Sequence, residues 1–166
     1  MKNFAWFAVL GLFCGACSKE TEAIVEGTRV GNLAPEIQGE DASGKKIRLS
    51  DYRGNVVLLS FWASWCGPCR VANKHLVKIY PNYRNKDIVF LSVSLDEKSS
   101  EWLAAVKKDK LSWLQLIDIK AWNSTVAAAW DVNSIPSTFL IDREGNVVAR
   151  NLMGSALEAG IDKLLK

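Results

Sequence analysis

Two cysteines, Cys66 and Cys69, stand two residues apart in WASWCGPCR, with Gly67 and Pro68 between them and Trp65 just ahead. A pair with this spacing can serve dithiol–disulfide exchange, half of a metal site, or a structural bridge. Zinc takes four protein ligands, or three and a water, whereas the chain has a single histidine, His75. On a helix that histidine would sit roughly 13 Å along the axis from Cys66 and on the opposite side, too far to be a base or a shared ligand. It reads as a surface histidine. A bridge closing two intervening residues removes little chain entropy, so a structural disulfide would add little to a domain of this size. Redox exchange is the favoured chemistry, with the other two still open.

Which thiols exist depends on the N-terminus. MKNFAWFAVLGLFCGAC carries one early cation, an apolar stretch over residues 4–13, and small residues before a cysteine. This is the layout of a secretory signal, and the stretch is about half of the roughly 20 residues a membrane-spanning helix needs. Cleavage before Cys17, with Gly15 and Ala16 as the small residues, resembles the signal of bacterial lipoproteins, in which that cysteine becomes lipid-modified. Cys14 departs from that pattern, where leucine is usual, and an ordinary signal-peptidase cut nearby is the alternative. Residues 1–16 are thus expected to be a signal peptide, 17–30 a lipidated cysteine and flexible tether reaching roughly 40 Å, and 31–166 the folded domain. Cys14 then leaves with the signal and Cys17 is no longer a thiol. Cys66 and Cys69 remain alone in an oxidising compartment, where a disulfide persists unless something reduces it.

A chain of 166 residues with 49% hydrophobic content suits one domain with a proper core. Its net charge of +3 is scattered, and the densest basic cluster, Lys107, Lys108 and Lys110, is interrupted by Asp109. That is a solvated helix face, and no nucleic-acid partner is expected.

The elements that must hold the cysteine pair follow from periodicity. Residues 55–62, NVVLLSFW, form a continuous apolar run, a strand covered on both faces. Helical spacing begins at Cys69 and carries Ala72, Leu76, Ile79 and Tyr80 to a stop at Pro81. A second buried strand is expected over 88–95. A helix from Ser100 follows with Trp102, Leu103 and Val106 on one stripe, then a short strand over 113–117. Another helix from Ser124 packs Val126, Ala129 and Trp130. Strands over 138–141 and 147–150 flank the turn DREGN, and a last helix has Ser155 and Glu158 as a capping box, with Leu157, Ile161, Leu164 and Leu165 inward. Segments 36–38 and 47–49 form a short hairpin or N-terminal cap. The order implies an α/β sandwich, a parallel half completed by an antiparallel hairpin, with helices on both faces.

A strand ending at Trp62 and a helix under way by Cys69 put Cys66 in the first helical turn. Unpaired N–H groups and the positive end of the helix dipole favour an anion there, which draws a thiol pKa from about 8.5 toward 7 in sites of this kind. Pro68 suits a first turn and Gly67 leaves the sulfur open. Cys69, one turn inward, is within bridging reach but screened from a bulky substrate. Cys66 is therefore the expected nucleophile and Cys69 the resolving thiol.

WCGPC over residues 65–69 resembles the active-site motif of thioredoxins, and the chain as a whole resembles the exported, membrane-tethered TlpA/ResA-like thiol-disulfide oxidoreductases. IRLSDYRGNVVLLSFWASWC looks like that family's entry segment, FLIDREGNVV like its late hairpin, and about 99–117 like its inserted helix and strand. The resemblance implies a thioredoxin-like three-layer sandwich with a mixed central sheet. It also implies a cis proline at Pro136, in the run Ile135-Pro136-Ser137-Thr138, facing the cysteines, with the backbone at Ile135 pairing with a substrate peptide. The redox-active disulfide is then the working group and no other cofactor is implied. The implied partners are disulfide-bearing exported proteins, a transmembrane thiol electron donor, and the membrane itself through lipid on Cys17. The implied location is a periplasm-facing bacterial envelope, the family often serving cytochrome c maturation. CGPC is the motif of reducing members, thioredoxin lying near −270 mV against about −120 mV for a strong oxidant.

Two positions depart from the resemblance. Ser60 stands where thioredoxins carry a buried Asp, and Ala72 where ResA-like members often carry Glu. Neither accepts a proton near neutral pH, so Cys69 is expected to have a raised pKa, with resolution relying on water or on the leaving thiolate. Three other readings compete, one of them a purely structural domain, which would keep its fold and its cellular role when Cys66 became Ser. A peroxiredoxin-like antioxidant protein shares the fold but has Thr and a single peroxidatic cysteine in place of CGPC. A Sco-like copper-delivery module spaces its cysteines by three and adds a distant histidine.

Overall fold

The computed structural model describes residues 25–166, so the expected signal peptide and Cys17 lie outside the described residues. Residues 25–30, assigned above to the tether, are hydrogen-bonded into the domain edge. Gly27 N–H donates to the Leu33 carbonyl at 2.9 Å, Leu33 N–H to Val25 at 3.0 Å, and Gly31 N–H to Val147 at 2.8 Å. The docked chain therefore begins before residue 31.

A two-stranded hairpin, β1 (Gln38–Glu40) and β2 (Lys46–Arg48), opens the fold, offset from the expected 36–38 and 47–49. The main sheet has five strands in the order β5-β4-β3-β6-β7. In it β3 (Val56–Trp62), β4 (Ile88–Ser94) and β5 (Leu114–Ile117) are parallel, and β6 (Ser137–Ile141) and β7 (Val147–Arg150) return antiparallel. The expected mixed sheet and its parallel half are both present. β3 lies at the centre and every one of its residues is buried, which is why its sequence is apolar without alternation.

Helices cover both faces. α1 (Gly67–Tyr83), α2 (Ser99–Asp109) and α4 (Gly154–Leu164) pack over Val56, Leu58 and Trp62. On the other face α3 (Thr125–Ala129), Trp130 and the β1–β2 hairpin close over Val57, Leu59 and Phe61. Alternate β3 residues thus feed two separate cores, as a period of two requires.

The structure corrects four details. α1 passes Pro81 and ends at Tyr83. The lost N–H costs one bond near the helix end, and Arg84 N–H still closes the last turn on Tyr80 at 2.9 Å, while buried Tyr83 donates its hydroxyl to Asp162 at 3.0 Å. Leu103 is 43% exposed, and Ala105 joins Trp102 on the buried stripe of α2 instead. In α3 the buried alanine is Ala127, not Ala129, because Ser124 caps the helix by accepting from Ala127 N–H at 2.8 Å and turns that position inward. Ser155 lies inside α4, whose N-cap is Met153 with no side-chain cap, so the Ser155–Glu158 capping box does not form.

Candidate active site

β3 delivers the chain to the C-terminal edge of the parallel strands, where sites on open α/β sheets gather. Cys66 N–H donates to the Ala63 carbonyl at 3.1 Å, closing a turn, and α1 begins at Gly67. Cys66 is its N-cap, and its sulfur accepts the N–H of Cys69 at 3.2 Å. This is the contact a serine oxygen makes in ordinary N-capping, supplied here by sulfur. Pro68 occupies the first turn, where its missing N–H removes no helical bond.

Cys66 and Cys69 are joined as a disulfide, with Cα atoms 5.2 Å apart. Cys69 is 0% exposed, among apolar neighbours such as Leu58, Trp62 and Leu76, whereas Cys66 is 6% exposed. The order of accessibility is the expected one, but the leading sulfur is more enclosed than Gly67 suggested. The Ile135 carbonyl lies 3.8 Å from it and covers one side. In the disulfide that sulfur has no hydrogen to donate, so the approach is a contact that becomes a hydrogen bond only in a protonated, reduced Cys66. The Ile135–Pro136 peptide is cis.

Beside the disulfide runs an apolar groove of about 670 Å³, walled by residues including Pro68, Ala72, Pro136, Thr138 and Met153. Val71, itself exposed, also lines the groove, and Trp65 just ahead of Cys66 is 57% exposed. Ala72 faces this groove, so the position at which ResA-like proteins carry Glu bears on the cavity wall here. His75 also lines the groove, with its Nε2 3.5 Å from Glu158 Oε1, close enough for charge attraction but not hydrogen-bonded to it. Its side chain is 34% exposed, in keeping with the surface position expected of it, and it sits on the side of α1 that meets α4. Among the described residues no three His, Cys, Asp or Glu side chains converge to hold a metal ion.

Ser60 is not a bystander. The sheet register aligns Thr138, Ser60, Ser92 and Gln115 across four strands, on the face that α1 covers. The Ser60 and Ser92 hydroxyls share a 2.7 Å bond, and Trp113 Nε1 donates to Ser92 at 2.8 Å. The hydroxyl at position 60 is thus occupied and supplies no base. Ser60→Asp is expected to introduce a second ionisation into the pH–rate profile of turnover. It also lowers stability by about 1–3 kcal/mol, since a carboxylate must then be satisfied in a buried site. A pH profile superposable on the wild type's would show that Cys69 needs no proton acceptor there.

Sequence reasoning missed Asp96 and Ser64, which meet under the catalytic turn. Ser64 donates to Asp96 from both its N–H, at 2.9 Å, and its Oγ, at 2.6 Å. The available signal was Asp96 itself, an acid directly after a buried parallel strand, at the sheet edge where functional groups collect. Asn73, buried one turn beyond Cys69 with its amide nitrogen unpartnered among the described residues, was also missed, because Ala72 was taken for the inward residue.

Comparison with known proteins agrees with this geometry. The AhpC/TSA family profile matches residues 30–150. A thiol-disulfide oxidoreductase ResA of Bacillus cereus is 30% identical over 155 residues, covering 93% of this chain and 84% of the relative. The ResA of Geobacillus kaustophilus is 35% identical over 118 residues, covering 71% of this chain and 66% of that protein. Among solved structures, the thioredoxin domain of a thiol-disulfide oxidoreductase from Bacteroides vulgatus superposes with a TM-score of 0.78 at 30% identity, covering 83% of this chain and 99% of that one. A thiol-disulfide oxidoreductase from Bacteroides fragilis gives 0.76 at 34% identity, with 81% and 100% covered.

Proposed function

The chain belongs to the AhpC/TSA family, within its thioredoxin-fold thiol-disulfide oxidoreductases, and from that premise we propose that it reduces or isomerises the disulfides of exported proteins. The observation that carries this is the Cys66–Cys69 bridge at the N-terminus of α1, with the Cys66 sulfur receiving a backbone N–H.

In the reducing direction the Cys66 thiolate attacks one sulfur of the substrate disulfide. An S–S bond forms between enzyme and substrate, and the other substrate sulfur leaves as a thiolate that takes a proton. Cys69, deprotonated, then attacks the Cys66 sulfur, closing the enzyme disulfide and releasing the second substrate thiol. Two electrons and two protons have passed to the substrate. The N–H of Cys69 and the helix dipole stabilise the Cys66 anion both as nucleophile and as leaving group, by about 0.3–1 kcal/mol for a dipole contact of this kind. The apolar groove and the Ile135 carbonyl offer a peptide a surface and a backbone acceptor beside the reacting sulfur.

An oxidising compartment requires that the oxidised enzyme be re-reduced by a dithiol donor, and a membrane-embedded one suits a tethered protein. The lipid anchor at Cys17 and the periplasm-facing location are supported by the signal-like N-terminus alone. Both parts of the proposal meet one experiment. Cys69→Ala is expressed from the full chain, with and without Cys17→Ser, and non-reducing gels are run on membrane and soluble fractions. Expected are mixed disulfides with exported proteins, in the membrane fraction when Cys17 is intact and in the soluble one when it is not. An empty trap that retains copper would overturn the exchange reading, and adducts that stay membrane-bound without Cys17 would overturn the anchor.

A further inference from the structure

Asp96 is 0% exposed and lies just beyond the end of β4. A carboxylate is costly to bury unless its oxygens are satisfied, and here each is. Oδ1 accepts from Ser64 Oγ at 2.6 Å, while Oδ2 accepts from Ser64 N–H at 2.9 Å and from Ser94 Oγ at 2.6 Å. Asp96 N–H in turn donates to Ser94 Oγ at 3.0 Å, fixing that hydroxyl. Among the described residues no cation bonds the carboxylate directly. The same turn is gripped from α1: Arg70 Nη1 donates to the Ser64 carbonyl at 3.0 Å, and Arg70 is held in a two-pronged ion pair with Asp109 at the end of α2.

Ser64 therefore has its N–H, its hydroxyl and its carbonyl all held, two residues ahead of the reacting sulfur. The Ala63–Cys66 turn contains two central residues, and the other one, Trp65, points into solvent. Whatever fixes Ser64 fixes the turn, and the turn sets whether the Cys66 sulfur meets the N–H of Cys69. We propose that Asp96 is a positioning residue for disulfide exchange, acting through Ser64 to hold Cys66 at the N-cap of α1. It touches neither substrate nor sulfur. The proposal rests on the exchange chemistry above, but its geometry can be tested without a substrate.

The test compares Asp96→Ala, Asp96→Asn and Ser64→Ala. Asparagine can keep all three contacts: its Oδ1 takes the place of Oδ2, accepting from Ser64 N–H and Ser94 Oγ, while its amide donates to a Ser64 hydroxyl turned round to accept. Alanine keeps none. A misplacement of about 1 Å at a reacting atom is worth on the order of a hundredfold, so Asp96→Ala is expected to lower kcat for insulin-disulfide reduction roughly 10- to 100-fold with KM little changed. Asp96→Asn recovers most of that loss. Ser64→Ala, which drops the hydroxyl arm alone and threatens the fold least, falls between them.

The second readout is the pH profile of iodoacetamide alkylation of reduced Cys66. Its midpoint should rise in Asp96→Ala, as the capping N–H is lost, and stay in place in Asp96→Asn. Full kcat in Asp96→Ala, or an asparagine variant as impaired as alanine, or an unmoved alkylation midpoint in both Asp96→Ala and Ser64→Ala, would overturn the proposal. If wild type itself fails to reduce insulin, the functional reading falls while the alkylation arm still decides the positioning claim.

Discussion

Replacing Cys66 by serine lowers the rate of disulfide reduction by on the order of a thousandfold or more, to the rate of the reductant alone, because a hydroxyl is not ionised at neutral pH and cannot form the mixed disulfide. The fold survives, since the lost bridge closes only two intervening residues, and far-UV circular dichroism is expected to be unchanged. Cys69→Ala behaves differently. It retains one turnover, stalls with substrate attached through Cys66, and gives a burst without a steady state. The contrast follows from where the two sulfurs lie, one against the Ile135 carbonyl and slightly exposed, the other fully buried. Insulin reduction followed by turbidity separates the variants. A Cys66→Ser protein that turns over at a substantial fraction of the wild-type rate, or a Cys69→Ala protein in which the adduct forms on no residue, removes the mechanism.

Trp130→Ala destabilises the domain by about 3–5 kcal/mol, the range for truncating a fully buried large aromatic, and lowers Tm by roughly 10 °C for a chain of this size. Trp130 is fully buried at the end of α3, with its ring 4.7 Å from Phe139 and 6.0 Å from Phe61 between centroids. Phe61 is on β3 immediately before Trp62, and Phe139 is on β6 three residues past Pro136. The ring therefore ties the strand leading to the cysteines to the one leading from Ile135, and its loss should also slow exchange at temperatures where the protein remains folded. Trp130→Phe is the control. Among the described residues the indole N–H has no partner, so removing it strands no hydrogen bond, and the cost should stay under about 1.5 kcal/mol. Equal losses from both substitutions in thermal denaturation would show that the aromatic contacts are not what holds this segment.

The residues differ in how far their sequence neighbours betrayed them. NVVLLSFW is a central strand because nothing in it interrupts burial on either face, and CGPC starts a helix because glycine and proline fit a first turn, so both could be read locally. The end of α1 could not, since the packing of Tyr83 outweighs the single bond lost at Pro81. Leu103 was misplaced for a related reason: periodicity identifies a stripe, but only the packed sheet determines which edge of that stripe is covered. Ser60 could be flagged as a departure from a resemblance, yet its partner Ser92 lies 32 positions away on a neighbouring strand. His75 could be read locally as a surface histidine, but its nearness to Glu158 exists only because α4 folds against α1.

The amino-acid order by itself determined the strand-to-helix junction at Cys66, the spacing that puts Cys66 and Cys69 within bridging reach, and the parallel-then-antiparallel arrangement of the sheet. These depend on propensity, period and spacing over a few residues, which any local stretch of chain carries. The tertiary structure decided what surrounds the sulfurs: Ile135, 69 residues downstream; Asp96 gripping Ser64 across 32; and the groove between α1, β6 and α4. Such contacts are created by sheet register and by the crossing of helices over it. A shift of one residue in either would leave every local pattern intact while turning those side chains away.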